Sequence, residues 1–174
     1  MLRFANPSNF LRLAAVLVPA GAALSALTLT LGLYLSFFVA PADYQQGETV
    51  RIMYIHVPAA WLSMFCWGTM TLAALGSLVW RHPLADAAQK AAAPLGAAFT
   101  FVCLVTGSLW GKPMWGTWWV WDARLTSVLV LFLMYLGLIA LWRSVDEPSR
   151  AGRAAAILTL VGSINLPIIK FSVD

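Results

Sequence analysis

The segment LTSVLVLFLMYLGLIALW, residues 125–142, contains no charged residue and fixes the structural class of this protein. About 20 consecutive apolar residues cross the hydrocarbon core of a bilayer as one helix. Similar segments occur along the whole chain, and the complete set is 13–39, 57–80, 92–109, 125–142 and 154–172. This pattern predicts an all-α fold, a polytopic integral membrane helix bundle with five transmembrane helices.

The composition supports the same prediction. Of the 174 residues, 61% are hydrophobic and only 10% are charged, whereas soluble domains carry roughly 25% charged residues. The net charge of +4 could suggest nucleic acid as a partner. However, the Lys and Arg residues lie singly at the ends of apolar runs, which is typical of membrane topology. We therefore expect membrane lipid around the chain and no nucleic-acid binding.

The placement of Lys and Arg predicts the orientation in the membrane. Seven lie on one predicted side and four on the other, namely Arg3, Arg12, Arg81, Lys90, Arg143, Arg150 and Arg153 against Arg51, Lys112, Arg124 and Lys170. The richer side is expected to be cytoplasmic. This places the N-terminus inside and Asp174 outside. The short connections predict antiparallel neighbours in a single membrane domain over 1–174.

A cluster of tryptophans interrupts the apolar runs in the predicted outer segment WGKPMWGTWWVWDAR, residues 110–124. Because glycine and proline favour turns, Gly111, Pro113 and Gly116 predict an irregular backbone here. We interpret the segment as an aromatic surface at the membrane boundary. Such a surface suits a large, flat, mostly apolar ligand with a charged edge, and haem has these properties.

The alternative for these tryptophans is the aromatic belt that membrane proteins carry at both interfaces. A belt accounts for Trp80 and Trp142 at predicted inner helix ends, and helix packing accounts for Trp61 and Trp67. An aromatic belt explains less readily why four tryptophans lie within seven residues. These are Trp115, Trp118, Trp119 and Trp121.

Two histidines occur, on opposite predicted sides of the membrane. His56 lies at the outer mouth of the second predicted helix, and His82 lies in an inner loop. A histidine at a membrane boundary is often only a hydrogen-bonding anchor, and we interpret His82 in this way. His56 shares the outer side with the tryptophans, and neutral imidazole is a common axial ligand of haem iron. We therefore predict that His56 is a metal ligand.

Charged residues close the tryptophan segment. Asp122 is predicted to be the N-cap of a helix beginning near Leu125, because a carboxylate accepts free backbone N–H groups there. Arg124 and Lys112 are either simple outer-flank charges or partners of haem propionates, for which a guanidinium is well suited.

Cys66 and Cys103 form no CxxC pair and are predicted to be small buried side chains.

The segment WGTWWVWDARLT, residues 115–126, resembles the tryptophan-rich WWD signature of haem-handling proteins of cytochrome c maturation. Further segments resemble the CcmC family in particular, and these are PADYQQG (41–47), YIHVPAAW (54–61), GSLWGKPM (107–114) and NLPII (165–169). The likeness covers nearly the whole chain. The CcmF and CcsA families share the signature but are much larger.

The resemblance implies roles for individual residues. His56 matches the family's first outer histidine, an axial ligand, and the residues matching its haem platform are Trp115, Trp118, Trp119, Trp121 and Asp122. The family also has six helices and a second outer histidine after the fifth. Since this sequence stops at Asp174, where that loop should begin, we expect it to be truncated.

The resemblance implies an inner-membrane protein of Gram-negative bacteria that presents haem on the periplasmic face. The haem would be of the b type, bound non-covalently and transiently, and would be loaded onto the chaperone CcmE beside CcmA, CcmB and CcmD. No bond-making step is expected, so the chain is not interpreted as an enzyme. The alternative is a transmembrane permease subunit of an ABC-type haem exporter, although the apolar runs contain few ionisable residues that would mark a path. A membrane cytochrome is disfavoured because His56 and His82 lie at opposite surfaces.

Overall fold

The computed structural model describes residues 6–172, and this range is predominantly helical. The helices are α1 (Pro7–Tyr34), α2 (Val50–Trp80), α3 (Pro83–Trp115), α4 (Ala123–Ser144), α5 (Pro148–Gly162) and α6 (Asn165–Phe171). Within the described range, five segments are long and apolar enough to cross a membrane: Ser8–Val39, Val50–Trp80, Pro83–Trp115, Ala123–Ser144 and Pro148–Phe171. The predicted polytopic all-α membrane fold is confirmed. Arg3 and Asp174, which were assigned to sides from sequence, lie outside the described residues.

The first of two structural units covers Met1–Arg51 and contains α1. Asn6 caps this helix, because its side-chain oxygen accepts the N–H of Ser8 at 3.0 Å. One π-helical turn, Leu35–Val39, extends the helix. The most apolar stretch of this span has no buried residue. A surface of this kind suits contact with lipid.

The loop that follows α1 is held together by its own charged side chains. The Asp43 carboxylate accepts the backbone N–H groups of Gln45 and Gln46, at 2.9 and 2.8 Å. Arg51 pairs with Glu48 at 2.5 Å and donates to the carbonyls of two residues, Ser36 and Phe37. The Arg51 guanidinium therefore stabilises this loop.

The second unit, Ile52–Asp174, is organised around two aromatic residues. Trp67 of α2 and Tyr135 of α4 are fully buried and meet edge to face, with ring centroids 4.9 Å apart. The Trp67 indole donates to the Thr159 carbonyl of α5 at 3.2 Å, and the Tyr135 hydroxyl donates to the Ser63 carbonyl at 2.7 Å. Because an unpaired polar group inside a membrane costs several kcal/mol, these bonds let large aromatic rings fill the core.

The turn between α2 and α3 is much shorter than the gap between the predicted apolar runs 57–80 and 92–109. Only Arg81 and His82 lie between the two helices. The His82 side chain accepts the N–H of Leu84, and Pro83 occupies the first turn of α3, where its missing N–H carries no penalty. The Ala-rich sequence after Pro83 has high helix propensity. The helix therefore begins well before the apolar run at 92.

The last predicted helix, 154–172, is divided into α5 and α6. The division follows Gly162, and Pro167 lies in the first turn of α6. Proline has no N–H to donate to the carbonyl four residues earlier, and the Leu166 N–H bonds the Ser163 carbonyl at 3.2 Å in its place. The turns that carry Ile169 and Lys170 belong to α6.

Candidate functional site

The tryptophan segment begins as helix, because α3 continues through Trp115. The prediction of irregular backbone from residue 110 is therefore wrong for its first six residues. Gly111 is buried and permits a close approach, since a Cβ there would lie 3.3 Å from both the Thr117 carbonyl oxygen and the Trp115 ring. Gly111 thus allows the following loop to pack against the helix, and it does not break the helix.

The irregular part of the segment is the tryptophan loop, which runs from Gly116 to Asp122. Gly116 ends α3 with φ 77°, a left-handed conformation that favours glycine. Its N–H bonds the Lys112 carbonyl, and the Lys112 ammonium bonds the Gly116 carbonyl at 3.0 Å. Inside the loop, the Thr117 hydroxyl donates to the Trp119 carbonyl at 3.1 Å. These bonds hold a short loop in one conformation.

Asp122 is the N-cap of α4, as predicted. Its carboxylate accepts the N–H of Leu125 at 2.7 Å. The helix itself begins at Ala123, two residues before the apolar run. The cap joins the tryptophan loop rigidly to α4, so the direction of the loop is fixed by the bundle.

A cavity of about 430 Å³ opens beneath this loop, within the second unit. Its volume lies in the range of roughly 300–1,000 Å³ common for small-molecule sites. The lining comes from α2, α3, the tryptophan loop, α4 and α6, and consists of Met53, His56, Ala60, Trp61, Met64, Cys103, Leu104, Gly107, Ser108, Trp110, Trp115, Trp119, Arg124, Leu125, Val128, Ile169 and Lys170. The surface is mostly apolar and aromatic, with one imidazole and two cations.

Four of the seven predicted site residues line this cavity together, namely His56, Trp115, Trp119 and Arg124. The other three lie outside it. Trp118 and Trp121 are 54% and 77% exposed, and the side chain of Asp122 is used in the helix cap. The aromatic segment therefore has an inner part that faces the cavity and an outer part that faces the surroundings.

His56 lies on α2 and contacts α3. Its Nδ1 is 3.1 Å from the Cys103 carbonyl oxygen and 3.0 Å from the Thr106 hydroxyl. Gly107 leaves room for the ring, because a Cβ at that position would lie 3.1 Å from His56 Cε1. These contacts hold the imidazole in one orientation at the cavity wall.

The indoles of the segment form two edge-to-face pairs. Trp110 and Trp115 have centroids 5.0 Å apart, and Trp119 and Trp121 have centroids 5.6 Å apart. The indole Nε1 of Trp119 is buried and has no hydrogen-bond partner among the described residues. Buried donors normally have partners, so this N–H can bind a polar group of a ligand.

Sequence reasoning missed several lining residues, and the most informative is Lys170. It lines the cavity from the end of α6, and its ammonium lies 5.6 Å from the centre of the Trp61 ring. Trp61 was interpreted as a helix-packing residue, but it is 61% exposed and lines the cavity. Both cavity cations, Arg124 and Lys170, are among the four basic residues predicted on the outer side. This shared side was the signal in the sequence that could have pointed to Lys170.

The cavity chemistry fits a porphyrin better than a bare metal ion. Within residues 6–172 no group of three or more His, Cys, Asp or Glu side chains could hold a metal. Iron in a porphyrin already has four nitrogen ligands and needs only axial ones, for which one histidine suffices on one face. Two cations beside an apolar aromatic wall match a flat apolar ring with anionic substituents.

The fold and the site together define a polytopic membrane protein with an aromatic, histidine-containing surface cavity. The sequence matches the CcmC family, described as "Heme exporter protein C", over residues 1–174. The chain belongs to this family, and the resemblance noted from the WWD segment is confirmed.

Individual relatives agree over almost the whole chain. The Heme exporter protein C of Bradyrhizobium diazoefficiens is 71% identical over 174 residues, which is 100% of this chain and 66% of the relative. The Escherichia coli K12 protein of the same name is 54% identical, over 99% of this chain and 70% of its own. That of Paracoccus denitrificans is 45% identical, with coverage of 98% and 70%. The chain thus spans about two thirds of the length of these relatives.

Proposed function

We propose that this chain binds haem in the cavity beneath the tryptophan loop and presents it for transfer during cytochrome c maturation. The observation that carries the proposal is that His56, Trp115, Trp119 and Arg124 line one cavity. Families that handle haem must supply an iron ligand, flat apolar contacts and partners for carboxylates, and this cavity contains all three. The name of the relatives, Heme exporter protein C, supports haem as the cargo.

His56 is the proposed axial ligand of the iron. It is the one histidine on the cavity wall, and its ring is already oriented by α3. Coordination through a single imidazole, without a covalent link to the porphyrin, gives a b-type haem that can leave again. The residues only bind and orient the haem, so the chain acts as a carrier and has no bond-making step of its own.

The indole rings of Trp115 and Trp119 are proposed to pack against the flat porphyrin ring. Covering about 200 Å² of apolar surface contributes roughly 5 kcal/mol, at ~25 cal/mol per Å², before the cost of immobilising the ligand. A contribution of this size supports binding but permits release. Trp118 and Trp121, exposed on the outer side of the same loop, are the proposed contact surface for the recipient, and Asp122 keeps the loop in position.

Arg124 and Lys170 are the proposed partners of the haem propionates. Both line the cavity, and the lining residues include no carboxylate that would compete with an anionic ligand. Guanidinium and ammonium groups form charge-assisted hydrogen bonds with carboxylates. The two cations distinguish a dicarboxylate porphyrin from a neutral apolar molecule of similar shape.

The setting that fits this site is the inner membrane of a Gram-negative bacterium, with the cavity on the periplasmic side. The excess of Lys and Arg on the opposite side supports this orientation. The recipient is the haem chaperone CcmE, and CcmA, CcmB and CcmD are the proposed components of the same complex. The exposed indoles of the loop are suited to contact with such a recipient, because tryptophan is enriched where proteins meet.

A direct test compares His56→Ala with His82→Ala. Both variants lose one imidazole, but only His56 lines the cavity. We expect the Soret band and the haem content of purified protein to fall in His56→Ala and to remain at the original level in His82→Ala. Equal haem content and an unchanged spectrum in both variants would remove His56 as the ligand.

The alternative is a permease subunit that moves haem through the bilayer, and the relatives' name, Heme exporter protein C, favours it. A flux measurement separates the two functions. Sealed vesicles that contain this chain alone are given external haem, and the internal haem is measured. Accumulation that depends on the protein would support the permease, and binding without accumulation supports presentation.

A further inference from the structure

The two histidines of this chain hydrogen-bond in opposite ways. At the start of α3, Nδ1 of His82 accepts the backbone N–H of Leu84 at 3.2 Å. A ring nitrogen that accepts a hydrogen bond carries a lone pair and no hydrogen. The neutral form of His82 therefore has its hydrogen on Nε2.

His56 has the reverse arrangement. Its Nδ1 lies 3.1 Å from the carbonyl oxygen of Cys103, and a carbonyl oxygen can only accept. Nδ1 of His56 must therefore carry the hydrogen. In the neutral ring this leaves the lone pair on Nε2.

Thr106 is arranged to accept the same hydrogen. Its hydroxyl donates to the Val102 carbonyl at 2.6 Å, so its single hydrogen is already used. The lone pairs of Thr106 Oγ1 then face Nδ1 of His56 at 3.0 Å. The N–H of His56 is shared between this hydroxyl and the Cys103 carbonyl.

Gly107 completes the arrangement by its size. A Cβ at residue 107 would lie 3.1 Å from Cε1 and 3.5 Å from Nδ1 of His56. The distance to Cε1 is shorter than an ordinary contact, so the ring of His56 would have to shift by a few tenths of an ångström to accept a larger residue. One turn of α3 thus supplies both hydrogen-bond acceptors and the space that the ring occupies.

We infer that α3 locks His56 in the Nδ1–H tautomer, through the Cys103 carbonyl and the Thr106 hydroxyl, so that Nε2 is the nitrogen that binds iron. Thr106 is accordingly a positioning residue for the haem ligand. The part of this inference that concerns iron rests on the proposed function, whereas the tautomer itself does not. A hydrogen bond donated by the distant N–H makes the coordinating nitrogen more basic and fixes the ring plane, and loss of such an acceptor typically lowers metal affinity by about 10- to 100-fold.

The tautomers can be measured without haem. Protein labelled with ¹⁵N-histidine is placed in lipid bilayers, and solid-state NMR distinguishes nitrogens with and without hydrogen by their chemical shifts. The variants His82→Gln and His56→Gln assign the two sets of signals. We expect a protonated Nδ1 in His56 and an unprotonated Nδ1 in His82. An unprotonated Nδ1 in neutral His56 would overturn the inference whether or not the protein binds haem.

The positioning role needs a second measurement on haem-loaded protein. Thr106→Val removes the hydroxyl and keeps the shape, and Thr106→Ser keeps the hydroxyl. We expect haem to dissociate about tenfold faster from Thr106→Val, with a higher midpoint potential because the less basic imidazole stabilises ferric iron less. Thr106→Ser should restore both values.

Identical dissociation rates and potentials in the original protein and Thr106→Val would remove Thr106 as a positioning residue. Repeating the substitution in a His56→Ala background separates this inference from the proposed function. If Thr106 acts through His56, the Thr106→Val effect disappears in that background. An effect of unchanged size there would overturn the inference. A His56→Ala protein that keeps its original spectrum would instead contradict the ligand proposed above and leave the NMR result in force.

Discussion

The hydroxyl of Tyr135 in α4 donates a 2.7 Å hydrogen bond to the carbonyl of Ser63 in α2, and both residues are buried. Tyr135→Phe would remove this bond and keep the ring against Trp67. We expect the free energy of unfolding to fall by about 1–2 kcal/mol, because the Ser63 carbonyl loses a buried donor. The measurement is unfolding by SDS in detergent micelles, followed by tryptophan fluorescence. Tyr54→Phe is the control, since Tyr54 is 45% exposed, and equal losses in the two variants would contradict the expectation.

Gly162 is expected to be intolerant of even a methyl group. A Cβ there would lie 2.4 Å from Cζ2 of Trp67 and 3.0 Å from the sulfur of Met134. Gly162→Ala should therefore destabilise the second unit by about 1–3 kcal/mol through overpacking. Gly137→Ala is the matched control, because nothing lies within 4 Å of the added carbon. The same unfolding assay checks both, and a harmless Gly162→Ala would mean that the ring of Trp67 can move aside.

The two cavity cations should be specific for the charged edge of the ligand. Arg124→Gln and Lys170→Gln are each expected to raise the Kd for haem by about three- to tenfold, as for loss of one charge-assisted hydrogen bond. The affinity for haem dimethyl ester, which has no carboxylates, should not change. Lys112→Gln is the control, because Lys112 binds the Gly116 carbonyl and lies outside the cavity lining. Equal weakening toward haem and its ester would refute propionate recognition.

The tryptophans should divide into two functional groups. Trp115→Leu and Trp119→Leu remove indoles from the cavity wall, and haem affinity should fall by about tenfold, equivalent to roughly 1.4 kcal/mol. Trp118→Leu and Trp121→Leu change exposed indoles and should leave haem affinity unaltered. These two are expected to slow transfer to purified CcmE, followed by the appearance of the chaperone-bound haem spectrum. The division fails if all four variants lose haem equally.

Asp122 should contribute to the site through its cap alone. Asp122→Asn keeps an oxygen that can accept the N–H of Leu125, whereas Asp122→Ala leaves that N–H unpaired. We expect about 1 kcal/mol lower stability for the alanine variant and a smaller change for asparagine. Haem content should also fall more in the alanine variant than in the asparagine variant. A larger defect in Asp122→Asn would instead indicate a direct role for the negative charge.

The sequence was sufficient to predict the helices that cross the membrane, and four of the predicted site residues line the cavity. Apolar runs report preference for a lipid environment, so all five spans were located, and the cap at Asp122 follows from local chemistry. The ends of α3 were not predicted, since hydropathy does not show where a helix continues beyond its apolar run. The α5–α6 division was also missed, although Pro167 was the available signal.

Other features depend on distances that only the folded chain provides. The contact of His56 with Thr106 joins residues 50 positions apart, and Gly107 matters only because α2 passes close to α3 at that point. Lys170 lies in α6, and its ammonium is 5.6 Å from the centre of the Trp61 ring of α2. A pattern along one helix contains no information about these approaches between helices.

All nine tryptophans of the chain belong to the second unit, and four of them line the cavity. Indole emission overlaps the intense near-ultraviolet absorption of an iron porphyrin, so excitation energy passes from the rings to a porphyrin seated beside them. Arrival and departure of the cargo would then be visible as quenching and recovery of the protein's own fluorescence. Haem binding as proposed could therefore be followed by the intrinsic fluorescence of the protein, without an attached dye.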